Sequence, residues 1–343
     1  MSPIYSLEFS RKVIHHCWWC TLLVCFFFLQ GCGALHAPDS RQVLSLTDPV
    51  ELTDTPFFPQ KKFQCGPAAL ATLLQVSDVT VVPAELEKQV YLPKRKGSLQ
   101  AELLAAVRRY DRLPYILQDN FTALAAELAA GNPVLVLQNL GFSFAPRFHY
   151  AVVVGLTDRE VILRSGEQRR LQMQHRTFLR SWKAADYWAM VVVQPGQFPA
   201  GYNKESYLKA SIALESAGRL QAAAKSYRAL CKREPDDCED ALFGIANIYL
   251  KSGEQKRAIA HYRQLLALAP SHAGAANNLA EALAQLGCSK EGYAAISNFL
   301  KKNNSINPSL HELLLTTQKE LRQQLSPPQQ QAGKTVKRAT NCP

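Results

Sequence analysis

The chain has 343 residues, 47% of them hydrophobic and 20% charged, with a formal net charge of +11. That leaves room for roughly two or three domains of ordinary globular composition. The excess cations fall in separate segments (Lys61 and Lys62; Lys94, Arg95 and Lys96; Arg108 and Arg109; Arg169 and Arg170; Lys301 and Lys302), so they read as solvated faces with a mild pull on anionic surfaces, and no nucleic-acid partner is expected.

The N-terminus reads as a targeting segment. Arg11 and Lys12 precede an apolar run from Cys17 to Leu29 that is short for a membrane span. The run ends in Leu29-Gln30-Gly31-Cys32, which resembles the lipobox of bacterial lipoproteins. The resemblance implies a signal peptide over residues 1–31 and lipidation of Cys32. With Gly rather than Asp at position 33, it also implies a place in the cell envelope, on the outer membrane facing the periplasm. An uncleaved signal anchor is the alternative. Of the nine cysteines, Cys17, Cys20 and Cys25 leave with the signal. Cys231, Cys238, Cys288 and Cys342 are open to oxidation in an exported protein, and Cys231 and Cys238 flank a turn as a candidate pair. No two have the double C-x-x-C spacing of a zinc site, so neither metal nor cofactor is expected.

Residues 32–56, punctuated by Pro38, Pro49 and Pro56, read as a tether. At Gln60-Lys61-Lys62-Phe63-Gln64-Cys65-Gly66-Pro67-Ala68-Ala69-Leu70 a thiol stands at the mouth of an apolar helical run. Proline fits the first turn of a helix, and the positive end of the helix favours a thiolate. Helical spacing returns over Leu99–Arg109. Gly131-Asn132-Pro133 turns into the strand Val134–Leu137, and Phe148–Gly155 is a second strand. The turn Thr157–Glu160 leads to Val161–Leu163, and strands at Arg169–Met173 and Trp188–Val193 complete the set. Helices followed by consecutive strands predict an α+β domain with an antiparallel sheet over residues 57–195.

From Lys204 the composition shifts to Ala and Leu, and a period appears. Gly218, Gly253 and Gly287 recur 35 and 34 residues apart, and Tyr227, Tyr262 and Ile296 keep the same steps. Ala223 and Ala258 precede the two tyrosines, and Pro235 and Pro270 follow them. This pattern resembles tetratricopeptide repeats, here 204–238, 239–272 and a degenerate 273–306 with Gly292 where Ala is usual. Pro308–Leu325 reads as a capping helix. The expected all-α solenoid therefore covers 204–325, and residues 326–343 read as a disordered tail.

A cysteine nucleophile needs a base. His261, His272 and His311 lie in the repeats and His36 in the tether. His149, opening an apolar strand, and His175, read as a loop residue, remain as candidates; position favours His149. Gln60 is placed to return as an oxyanion donor, whereas Gln64 reads as a polar residue before a helix.

The segment Gln60–Leu74, together with His149-Tyr150-Ala151-Val152-Val153-Val154-Gly155, resembles the bacteriocin-processing class of papain-like cysteine peptidases. More narrowly, it resembles exported lipoproteins that join such a domain to tetratricopeptide repeats. The resemblance implies an α+β papain-like cysteine peptidase domain, a helix packed on an antiparallel sheet, with Cys65 as nucleophile, His149 as base and Gln60 donating to the oxyanion. The family places Asp or Asn about sixteen residues past the histidine to orient the imidazole. Here that position is Ser165, which can accept a hydrogen bond and offers no charge. Asp158 is near in sequence and reads as a turn residue.

Three readings follow. The first is a membrane-tethered cysteine peptidase acting on a peptide or protein, with the repeats recruiting a protein partner or client. The second is an inactive peptidase-like module that binds peptides or proteins in an envelope assembly, and the third is acyl transfer to an amine, as in the phytochelatin-synthase type. The chain has no G-x-x-x-x-G-K motif and no transmembrane bundle, so it is not expected to export a substrate itself.

Overall fold

The computed structural model describes residues 49–60, 63–303, 305–325 and 342. The expected signal peptide, Cys32, most of the expected tether and residues 326–341 of the expected tail lie outside these. The first domain runs β1 (Val50–Glu51), α1 (Cys65–Val76), α2 (Pro83–Val90), α3 (Gln100–Arg109), β2 (Leu113–Ile116), α4 (Phe121–Ala129), β3 (Val134–Asn139), β4 (Phe148–Leu156), β5 (Glu160–Ser165), β6 (Gln168–Gln174), α5 (His175–Lys183) and β7 (Ala189–Val193).

The strands form one antiparallel sheet in the order β2-β7-β3-β4-β5-β6, with β1 added to β4. β3 and β4 are central and covered on both faces, so they read as apolar runs rather than alternating ones. On one face Leu70, Leu73 and Leu74 of α1 pack with Leu135, Leu137, Tyr150, Val152, Val154 and Ile162. On the other, α4 and α5 cover the sheet, and Phe178 and Trp182 of α5 are fully buried.

Three features depart from the sequence reading. The domain begins before residue 57, because β1 pairs Val50 with Leu156 and Glu51 with Gly155. The guanidinium of Arg164, 4% exposed, then donates to the carbonyls of Thr53 (3.1 Å) and Thr55 (3.3 Å). A buried charge satisfied by carbonyls in this way holds residues 52–56 against the end of β5. Second, α2, β2, α4 and α5 were not foreseen; β2 is four residues long and carries Pro114, which suits an edge strand. Third, His175 opens α5 instead of lying in a loop.

Seven helices follow: α6 (Lys204–Ser216), α7 (Leu220–Arg233), α8 (Glu239–Lys251), α9 (Gln255–Leu268), α10 (Ala273–Gln285), α11 (Ser289–Lys302) and α12 (Pro308–Leu325). They pair as α6/α7, α8/α9 and α10/α11, with α12 packed on the last pair. Gly218, Gly253 and Gly287 take φ of +74°, +75° and +80° between the paired helices, with open space around Gly218 and Gly253. The backbone angle, not crowding, fixes glycine there. Gly292 has the opposite reason: a Cβ would fall 2.8 Å from the carbonyl of Ala280, so the third pair approaches more closely than alanine allows.

The sheet edge at β2 is covered by α6. Tyr115 Oη donates to Gly201 O (3.0 Å) and accepts from the N–H of Asn203 (2.9 Å). The Asn203 side chain caps α6 by accepting from Ser206 N–H. Buried Glu127 accepts from Gly201 N–H (2.9 Å) and from the amide of Asn132 (2.8 Å). Helix start and strand edge thus share one hydrogen-bond set, with a caps-and-turns logic that leaves few orphan groups.

Two cysteine findings correct the sequence reading. Cys231 and Cys238 are free thiols, the Cys231 Sγ lying 3.6 Å from the Cys238 carbonyl. The disulfide joins Cys288, before α11, to Cys342 in the expected tail.

Candidate active site

Cys65 is the first residue of α1, which has no side-chain cap at Gln64. Its thiol is met by backbone N–H groups of Tyr150, Gly66 and Cys65 itself, each favouring the thiolate. Burial outweighs them and pushes the thiol pKa up. The sequence led us to expect a lowered value; the helix end is present, but apolar packing against the α1–sheet core wins.

Tyr150 is the residue after His149, so the strand that carries the imidazole also supplies an N–H to the sulfur. His149 is half-buried, and its Nε2 stands 2.9 Å from Ser165 Oγ. Burial pushes the imidazole pKa down, and the nearby Arg147 cation lowers it further. Among the described residues no carboxylate offsets this, because the end of β5 presents a hydroxyl. Both groups are therefore held toward their neutral forms, thiol and imidazole.

Gln60 ties the site together. Its Nε2 donates to the Tyr150 carbonyl (3.3 Å), its Oε1 accepts from Gly166 N–H (2.9 Å), and its own N–H donates to Gly166 O (2.9 Å). One amide hydrogen thus bridges to β4, and the carbonyl end clamps the turn that follows Ser165. Among the described residues the second amide hydrogen has no partner. Gln60 is a brace as well as a candidate oxyanion donor.

Cys65, Gln60, His149 and Ser165 are brought to one end of the sheet. The other candidates are not. His175 follows Gln174, which pairs with Glu160 at the opposite end, and its N–H donates to Arg159 O while its ring lies 5.5 Å from Phe121. Asp158 lies at that end too, exposed and 3.5 Å from its neighbour Arg159. Gln64 serves as the uncapped residue before α1. Lipidation at Cys32 lies outside the described residues. Sequence reasoning missed the backbone of Tyr150, the turn at Gly166 and the Arg164 brace, and only the Ser-Gly turn left a trace in the sequence. Among the described residues, Cys288, Glu291 and Cys342 lie close enough to share a cation, but two of the three donors are spent in the disulfide.

Residues 52–190 match the family model described as Peptidase_C39 like family. Residues 207–273 and 243–288 match that of the tetratricopeptide repeat. No curated protein matches the chain. Among solved structures, a C39-like peptidase from Bacillus anthracis is similar at 17% identity over 43% of this chain and 98% of its own, with a TM-score of 0.36. The peptidase domain of Streptococcus ComA, a bifunctional ABC transporter of a quorum-sensing pathway, is 17% identical over 40% of this chain and 98% of its own, at 0.34. The Yersinia enterocolitica type III secretion chaperone SycD, in complex with a peptide of the translocator YopD, is 18% identical over 36% and 94%, at 0.33. The chain thus carries a Peptidase C39-like domain, an antiparallel sheet with helices, followed by a tetratricopeptide-repeat solenoid.

Proposed function

We propose that the C39-like domain is a cysteine peptidase acting on a peptide or protein, in the bacteriocin-processing manner, and that the repeats bring it a protein client. The observation that carries this reading is the convergence of Cys65, at a helix start, with the His149–Tyr150 strand, where Ser165 engages one imidazole nitrogen. With Nε2–H donating to Ser165, Nδ1 holds a lone pair and takes the thiol proton as sulfur attacks the peptide carbonyl. The C–N bond breaks, the proton passes to the leaving amine, and water releases the acid from the thioester with His149 again as base. Gln60 and the Cys65 N–H face the developing oxyanion. Burial disfavours charge on thiol and imidazole alike, which favours proton transfer that accompanies attack over transfer that precedes it.

The test is labelling by a thiol-directed peptidase probe, with cleavage of peptides followed by mass spectrometry. The reading expects labelling at Cys65 that disappears in Cys65→Ser and falls sharply in His149→Ala. Labelling indifferent to both changes ends it. Added amine acceptors separate hydrolysis from acyl transfer by product mass.

A binding-only module is the second reading, favoured by Ser165 in place of a carboxylate and by burial acting against charge on both partners. The tether belongs to the same proposal: lipid on Cys32 would hold the protein at the outer membrane, facing the periplasm. Cys32→Ser should then release it from membranes; unchanged retention argues for an uncleaved anchor.

A further inference from the structure

Three segments border the contact between Cys65 and Tyr150: residues 60 and 63–65, the turn at 93–98 and the β3–β4 hairpin at 139–149. The turn is held against the start of α1, since Lys96 Nζ stands 5.9 Å from the Phe63 ring centroid and Ser98 fills the space a Cβ on Gly66 would need. The hairpin is a built loop. Asn139 Oδ1 accepts the N–H groups of Gly141 (3.0 Å) and Arg147 (2.9 Å). Leu140 N–H donates to Arg147 O, and Phe142 and Ala145 exchange two backbone hydrogen bonds. On this ordered frame Phe142 is 69% exposed and Phe144 85%, their rings stacked 5.4 Å apart, and Phe148, beside His149, is 56% exposed. Aromatic rings fixed in water by a satisfied backbone mark a contact surface.

The charges on these three segments have one sign. Lys94, Arg95, Lys96 and Arg147 are exposed, and the three segments contain no Asp or Glu. Glu167, in the next turn beyond Ser165, is the neighbouring acid. Such a surface complements a ligand that is anionic and apolar. Position favours a peptide over a lipid surface. β1 joins β4 at Gly155 and Leu156, so the first described residues enter at the opposite end of that strand, roughly 20 Å from His149.

We propose that Phe142, Phe144 and Phe148 with Lys94, Arg95 and Arg147 select an acidic peptide segment bearing large apolar side chains and lay it across the Cys65–His149 site. The proposal rests on the reading of that site as one that receives peptides. The test uses the full chain carrying Cys65→Ala and fluorescence anisotropy with three labelled synthetic peptides of equal length. One alternates Glu with Leu and Phe, one has Lys for Glu, and one has Ser for Leu and Phe. The first should bind at least about tenfold more tightly than either other, and raising salt from about 50 to about 300 mM should weaken it. Phe142→Ser with Phe144→Ser should cost about tenfold in affinity. Lys94→Glu with Arg147→Glu should weaken binding and flatten its salt dependence, with the thermal midpoint unchanged in both variants. Equal binding of the Glu and Lys peptides, or variants that keep the midpoint and the affinity, overturns the proposal. So does rim-dependent binding to anionic phospholipid vesicles without a peptide preference. Probe labelling of the wild-type chain in parallel separates the two readings: labelling without the preference sinks the rim alone, and the preference without labelling sinks the peptidase alone.

Discussion

The two halves of the protein solve positioning in opposite ways. The repeats place each helix from its neighbours: a glycine at positive φ closes each pair, and small residues let the next pair approach. The sheet domain places its candidate site from three distant parts of the chain, residues 60 and 65, residue 149 and residue 165, joined through backbone groups of Tyr150 and Gly166. Local order tolerates local change. A site assembled over such separations depends on braces that touch no substrate, such as Arg164 and the carbonyl end of Gln60.

The largest expected effect tests the local half at a covalent long-range link. The Cys288–Cys342 disulfide spans 54 residues of chain, and closing a loop of that size is worth about 4 kcal/mol in the chain-entropy account. Cys288→Ser should lower the denaturation midpoint of the repeats by a corresponding amount while leaving thiol-probe labelling of Cys65 unchanged. Loss of labelling would mean that the halves are less independent than their construction suggests.

The next test is Gln60. If it serves the oxyanion, Gln60→Ala should lower kcat/KM by about 100- to 1000-fold. Gln60→Glu keeps an acceptor for Gly166 N–H and removes the donor. An equal loss in both variants assigns the effect to the amide donor, whether toward Tyr150 O or a ligand, and a milder loss in the Glu variant assigns part of it to the brace on Gly166.

The junction comes third. Tyr115→Phe removes both hydrogen bonds between β2 and the start of α6 and leaves Gly201 O and Asn203 N–H to find water, at about 1 to 3 kcal/mol. Calorimetry should show the unfolding of the two halves becoming less coincident than in the wild-type protein. An unchanged profile would show that the packing of α6 on the sheet edge suffices.

Ser165→Asp is expected to act through charge, with about tenfold more imidazolium at neutral pH. In the wild-type protein burial raises the Cys65 pKa and lowers that of His149, with Arg147 also acting on the imidazole. Probe labelling should therefore keep rising with pH into the range above ordinary thiols. A carboxylate at 165 raises the imidazole pKa, favours the thiolate–imidazolium pair and moves the labelling curve to lower pH. A curve that stays in place shows that residue 165 does not govern the charge state of the pair. An effect of similar size belongs to Gly253→Ala, about 1 to 2 kcal/mol from forcing a Cβ into the left-handed region, read from the thermal midpoint and expected to leave the site untouched.

What could be read from the sequence follows the same division. The repeats were legible because their contacts recur at a fixed step, so Gly218, Gly253, Gly287 and the tyrosines announce the helix pairs. The apolar runs of β3 and β4 and the Cys-Gly-Pro helix start were legible for a similar reason, each being local. β2 and α5 were not, since a four-residue edge strand and the helix opening at His175 are decided by what packs on them. The order of the strands, the choice of Cys288 over Cys231 as a disulfide partner, and the separation of His175 from Cys65 were decided by tertiary structure.

The sequence by itself determined that a thiol begins a helix, that a histidine begins an apolar strand, and that a periodic helical array follows. Tertiary structure decided how those parts meet: the strand end lends an N–H to the thiol, Gln60 locks the Ser165 turn, and burial pushes the thiol up and the imidazole down. The reason is physical. Helix starts and periodic faces are set by near neighbours along the chain, whereas desolvation and backbone donors depend on which distant segments fold over a residue.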